Sequence, residues 1–384
     1  MIKKYLMTPG PTQIPPQVLL AGAQPIIHHR TKAYSGIFAR VLEDLKHVFQ
    51  TQNDIACFST SGTGAMESAV VNLLSPGDEV LIASCGKFGE RLRDLAEVYG
   101  LVYDYLEYEL GGPVAPKDIE KALAGDTGYK AVFVTHSETS TGAVNDMEAI
   151  GGIVADSDAV LVADSISGMG SAEIKTDAWQ VDVVLAGSQK ALMTPPGLAF
   201  ACISDKAWAM AENSKLPKYY WDWQKVRKGL AAADPTTPFT PAVSLTVALG
   251  EALTLIREEG LENLFQRHRT MRRACREAVK AMGLALFSPD DDRCSSVTAV
   301  RVPDGIEDGT LRRLTRDKYG VQLAGGQGPI SGKVFRIGHC GYYNYTDIIV
   351  AISALVLALR ELGFAIELGA GVSKAEQVFG EEGI

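Results

Sequence analysis

The sequence predicts an α/β protein: a large domain on a mainly parallel, seven-stranded sheet, followed by a smaller C-terminal α+β domain. Three observations carry this. Short apolar or β-branched runs alternate with helical patterns from about residue 55 to about residue 205, the rhythm of strand, crossover and parallel strand. Most of those runs are apolar at both alternate positions, as strands covered on both faces must be. The texture then breaks at Asp234-Pro235-Thr236-Thr237-Pro238-Phe239-Thr240-Pro241, which cannot be a helix.

Along the chain, the strand candidates are residues 56–58, 79–83, 101–105, 131–134, 159–163, 183–186 and 198–202. Helical patterns such as 64–74 and 91–99 separate them. Beyond the proline-rich break, helices are expected over 243–258 and 261–282. The second carries Arg267, Arg269, Arg272, Arg273 and Arg276, which read as a solvated helix face beside Glu262 and Glu277. Strand 297–302, helix 310–319, strand 334–337 and helix 347–362 complete the smaller domain. The Gly- and Glu-rich tail from Gly369 reads as loosely held. The expected division is an N-terminal arm (1–20), a large domain (21–258) and a small domain (259–384).

With 384 residues, 46% hydrophobic and 22% charged, the chain can fill a large core, and disorder is excluded over most of it. Its 37 basic and 46 acidic residues leave a net charge of -9, which offers no general attraction for nucleic acid. The longest apolar run, residues 348–359, contains Ser353 and falls short of the ~20 residues of a membrane-spanning helix. It reads as a buried helix. The opening MIKKYLMTPGPTQIPP has no secretory apolar segment, and Glu381-Glu382-Gly383-Ile384 matches no address signal, so a cytoplasmic protein is expected. The cysteines (Cys57, Cys85, Cys202, Cys275, Cys294, Cys340) form no C-x-x-C pair, and the histidines, including the pair His28-His29, have no ligand spacing. No metal is expected.

Four features carry chemistry. Ser59-Thr60-Ser61-Gly62-Thr63-Gly64 lies between a strand end and a helix start, where free N–H groups and the helix dipole favour an anion; a simple Ser/Thr cap explains it nearly as well. Asp164 closes an apolar strand, the place where α/β sheets present ligands, or else it caps the segment that follows. Lys190, in Gly187-Ser188-Gln189-Lys190-Ala191-Leu192, emerges from a core strand, and a desolvated lysine is a competent nucleophile toward carbonyls. Arg336, in Gly332-Lys333-Val334-Phe335-Arg336-Ile337-Gly338, alternates away from Phe335 and Ile337 and could grip a carboxylate or form a surface salt bridge. Together, anion cradle, acid, strand-borne lysine and arginine define a pyridoxal phosphate (PLP) site.

At these residues the chain resembles the class V aminotransferases of PLP fold type I, nearest the alanine/serine–glyoxylate group. The resemblance runs from Met7-Thr8-Pro9-Gly10-Pro11-Thr12 through Thr135-His136-Ser137-Glu138-Thr139-Ser140-Thr141-Gly142 and the Lys190 segment to Arg336. It implies that Lys190 forms the Schiff base with PLP and that Asp164 pairs with the ring nitrogen. Ser61, Gly62, Thr63 and Gln189 match the phosphate cup, and Thr139 a hydroxyl near the phenolic oxygen. Phe88 stands where relatives often stack a Trp, without the indole N–H. Thr237 matches a segment that relatives send to the partner's phosphate, which implies a homodimer with shared sites. Arg336 matches the residue for the substrate α-carboxylate. The implied reaction moves an amino group from serine, alanine or aspartate to glyoxylate or pyruvate by a ping-pong cycle, with small-molecule amino acids and 2-oxo acids as the partners.

Other reactions fit the same scaffold. Ureidoglycine–glyoxylate and aminoethylphosphonate transaminases are near alternatives. A cysteine desulfurase would need a cysteine in the loop of residues 324–331, which has none; Cys340 reads as a packed residue. A non-catalytic binding subunit would be expected to lose Lys190, Asp164 or Arg336, and all three are present.

Overall fold

The computed structural model describes residues 2–289, 293 and 295–383; Met1, Cys294 and Ile384, part of the sequence reading, lie outside them. The seven predicted strands enter one sheet: β1 (Asp54–Phe58), β2 (Glu79–Ser84), β3 (Val102–Glu107), β4 (Ala131–Thr135), β5 (Val160–Asp164), β6 (Val183–Gly187) and β7 (Ala199–Ile203). Their order is β3-β2-β4-β5-β6-β7-β1. Six strands run one way, and β7 is antiparallel to both its neighbours. The chain reaches Leu101 one residue before β3 because its N–H closes the preceding helix on the Ala96 carbonyl (2.9 Å).

Alternation along the strands explains the continuous apolar runs. Leu81, Val132, Val134, Leu161, Ala163, Val184 and Phe200 face one layer, with Val41, Leu45, Ile150, Leu249 and Leu253 from three helices. Val80, Ile82, Phe133, Val160, Val162, Leu185 and Ala201 face the other, with Met66, Val70, Leu92, Trp208 and Trp223.

A third cluster fills the C-terminal part around the antiparallel sheet β8 (Val297–Arg301), β9 (Ala324–Gly325) and β10 (Val334–Gly338), in the order β8-β10-β9. The N-terminal segment joins it: Tyr5–Leu6 pairs in parallel with Val321–Gln322, and Met7 is fully buried there. The helix Tyr345–Glu361 takes up the long apolar run, and among the described residues no helix is long and apolar enough to cross a membrane.

Two expectations are corrected. The tail from Gly369 is a helix, Ala370–Glu381, which buries Ala375, Val378 and Phe379 against the third cluster; its glycines and glutamates hid a sparse apolar stripe. The arginines of Leu261–Ala281 are not uniformly solvated. Arg272 and Arg276 are buried, and Arg276 Nη2 donates to the carbonyls of Ser288 (3.0 Å) and Pro289 (2.6 Å). That helix is covered on more than one side, so its polar positions also meet protein.

Candidate active site

Strands β3 and β4 flank β2, so successive connections turn opposite ways there, and a crevice opens at the strands' carboxyl ends. A cavity of about 260 Å³ occupies it. Its walls combine Ser61, Gly62 and Thr63 after β1, Phe88 after β2 and Thr139 after β4 with Asp164 at the end of β5 and Gln189 and Lys190 after β6. Gly10 and Pro11 of the N-terminal segment close it, and Arg91, Ser137, Ile166 and Ser167 complete much of the lining.

The helix Gly62–Leu73 starts at this cavity. Ser61 stands at its cap without a side-chain capping bond, so the leading amides keep their capacity for an outside anion. Gly62 is required by space: a Cβ there would lie 2.6 Å from Ile166 Cδ1. Gln189 Oε1 and Ser137 Oγ are buried here without hydrogen-bond partners. Such orphaned polar atoms are costly unless a ligand or water engages them.

Lys190 is buried, and its Nζ donates to the Pro9 carbonyl at 2.9 Å. Gly10 passes so close that a Cβ would meet Nζ at 2.2 Å. Burial holds the lysine below its ordinary pKa, which favours the free amine. Asp164 is also buried, and Oδ1 accepts the Ile166 N–H at 3.0 Å. Burial pushes its pKa up to about 6, a carboxylate waiting for a cationic partner. The loop after Lys190 is pinned: Ser188 Oγ donates to the Pro195 carbonyl (2.8 Å) and accepts the Leu198 N–H (3.2 Å).

Arg336 reaches this wall at Thr139. Phe335 and Ile337 enter the third cluster, while the guanidinium turns the other way, as alternation predicts. The surface salt-bridge alternative does not hold, because the side chain is buried. Its Nε donates to the Gly325 carbonyl (2.9 Å) and its Nη1 to the Thr139 carbonyl (2.8 Å). Burial brings its pKa down to about 10.

Thr237 lies outside this cavity. Its Oγ1 donates to the Phe239 carbonyl at 2.6 Å, and it lines a separate small pocket with Tyr34, Phe38 and Tyr220. Arg30 holds that turn: Nη1 donates to Thr236 Oγ1 (2.6 Å) and the Thr237 carbonyl (2.8 Å).

Sequence reasoning assigned no individual role to two residues. Arg91 lines the cavity, with its guanidinium 4.8 Å from the Phe88 ring centre and Nη1 donating to Thr63 Oγ1 at 3.2 Å. Its signal was the spacing of three from Phe88 on one helix. Glu138 is fully buried just after β4; the signal was an acid beyond a strand end, the same one that marked Asp164. Among the described residues, no three His, Cys, Asp or Glu side chains gather to hold a metal ion.

PLP fits what the cavity presents: free helix-start amides toward its phosphate, the unpartnered Ser137 hydroxyl toward an oxygen, a buried acid toward its ring nitrogen and a buried amine toward its aldehyde. The fold and site define a PLP-dependent enzyme of fold type I. The chain belongs to the class V aminotransferase family, which matches residues 4–336. It is 43% identical over 381 residues to the soluble hydrogenase 42 kDa subunit of Anabaena cylindrica, covering 98% of this chain and 99% of that one. It is 37% identical over 392 residues to a serine–glyoxylate aminotransferase of Methylorubrum extorquens, covering 99% and 96%. The crystal structure of ureidoglycine–glyoxylate aminotransferase from Bacillus subtilis matches with a TM-score of 0.94 at 31% identity, covering 99% of each chain.

Proposed function

We propose that this aminotransferase moves an amino group from a small amino acid (serine, alanine or aspartate) to glyoxylate or pyruvate in two half-reactions at one site. The observation that carries the reading is a buried amine and a buried guanidinium serving the same cavity, the guanidinium through the Thr139 carbonyl. Bound PLP supplies an electron sink for the pair left on the substrate Cα. Lys190 Nζ, whose pKa burial lowers, takes the Cα proton and returns it within the same site. Asp164 holds the proton on the ring nitrogen, and Phe88 covers the ring. Ser61, Gly62, Thr63 and Gln189 would grip the phosphate, and Thr139 would turn its hydroxyl from Ser167 Oγ to the phenolic oxygen. Thr237 serves the cavity of a second copy in a homodimer, and the enzyme works in the cytoplasm.

Arg336 grips the α-carboxylate of donor and acceptor alike, so both half-reactions depend on it. Arg336→Lys keeps the charge but loses the planar fork. KM for the amino donor and KM for the 2-oxo acid are both expected to rise by about 10²-fold. Steady-state kinetics with each substrate varied in turn checks this; a rise in one KM alone would refute the shared grip.

The direct test is a panel of half-reactions. PLP-loaded protein mixed with serine, alanine or aspartate should lose its visible absorption, and glyoxylate or pyruvate should restore it. Loss with none of the three donors would overturn the substrate assignment.

A further inference from the structure

We infer that Glu138 is a positioning residue that ties the aromatic wall of the cofactor cavity and the substrate-carboxylate arginine to a single buried carboxylate. The inference rests on the amino-transfer reading above and deepens it.

Glu138 is fully buried and is not part of the cavity lining, so it acts through its neighbours. Its Oε2 accepts the N–H groups of Phe88 (2.9 Å) and Gly89 (3.3 Å) at the start of the helix Lys87–Val98. Its Oε1 accepts the N–H (3.0 Å) and hydroxyl (2.5 Å) of Ser140. Ser140 Oγ in turn accepts the Lys87 N–H at 3.0 Å. Three leading amides of that helix therefore end on the Glu138–Ser140 pair. Burial pushes the Glu138 pKa up, and the helix start and the four donors work against that rise by favouring the ionised form.

Two branches leave this anchor. One is the helix: Phe88 faces the cavity, and Arg91 one turn later lies over its ring and reaches Thr63. The other is the peptide between the anchor's two residues. Thr139 is held from both sides; its hydroxyl donates to Ser167 Oγ (2.5 Å), and its carbonyl accepts Arg336 Nη1 (2.8 Å). The two branches meet closely because Gly86 has no side chain. A Cβ there would lie 2.4 Å from Glu138 Cγ and 2.6 Å from Ser140 Oγ.

Glutamine has nearly the same shape, but its NH2 group would face N–H or O–H donors and leave one branch unsatisfied. Glu138→Gln is therefore expected to weaken PLP binding about tenfold and to raise the amino-donor KM about tenfold. The turnover number should change far less, because Lys190 and Asp164 stay in place. Ser140→Ala, which removes only the bridge to Lys87, should shift both constants in the same direction by about threefold. PLP titration of the cofactor-free protein and steady-state kinetics read the two branches separately. If Glu138→Gln leaves both constants within twofold of the parent, or moves only one of them, the tie is refuted; if that variant does not fold, the same criterion applies to Ser140→Ala. Should the parent protein bind no PLP, the amino-transfer reading fails by itself. Hydrogen exchange at amides 87–89 and 140 of the cofactor-free chain then decides the anchor: faster exchange in the variants supports it, and unchanged exchange overturns it.

Discussion

Lys190→Ala is expected to reduce turnover of every amino donor by roughly 10⁴-fold or more, since in the proposed mechanism one side chain supplies both covalent attachment and proton transfer. Among the described residues lining the cavity, Lys190 is the one amine. Arg336 and Arg91 offer guanidinium groups rather than an amine, and the described cysteine closest in sequence to Arg336, Cys340, is buried with its thiol pushed up to about 11. Stability should change little, because the variant removes a desolvated amine while freeing the Pro9 carbonyl toward the cavity. Borohydride reduction of the PLP-loaded parent, followed by peptide mapping, should place the label on Lys190. A label elsewhere, or turnover retained in the variant, would refute the assignment.

Asp164→Asn should separate activity from stability. In the proposed mechanism Asp164 holds the proton on the ring nitrogen, which a neutral amide cannot do, so turnover is expected to fall by about 10³-fold. In the cofactor-free chain the same change should stabilise. Burial raises the Asp164 pKa from 3.8 to about 6, so the folded form resists ionisation that the unfolded form accepts. The contribution of this acid to stability is complete below pH 3.8 and is lost as pH rises through about 6. At pH 8 the asparagine variant should gain on the order of 1–3 kcal/mol over the parent, and near pH 4 almost nothing. Melting curves of the cofactor-free proteins at both pH values check the sign. Equal melting at pH 8 would show that the buried carboxylate carries no penalty.

Both predictions concern residues that the sequence marked by position alone. Asp164 and Lys190 each follow an apolar run, and in a parallel sheet the carboxyl ends of such runs share one edge. The Ser61-Gly62-Thr63 segment was legible for the same reason, although only the structure showed that Ser61 does not cap its own helix. Arg336 was legible as an outward-facing side chain on its strand, but its burial behind Thr139 was not. Glu138 was visible as an acid beyond a strand end, but its role was not, because that depends on amides 50 residues away in sequence. The buried arginines Arg272 and Arg276 and the packed tail helix were misread because charge and glycine content describe a segment alone, not what packs against it.

Local pattern was enough to settle the seven strands and the class of fold, because hydrophobic alternation and turn residues act over a few neighbours. Which strand lies beside which, and hence which five loops share one cavity, depended on tertiary packing of both sheet faces. The electrostatic character of the site belongs to that second level as well. An aspartate or a lysine acquires a shifted pKa only once distant segments have excluded water from it.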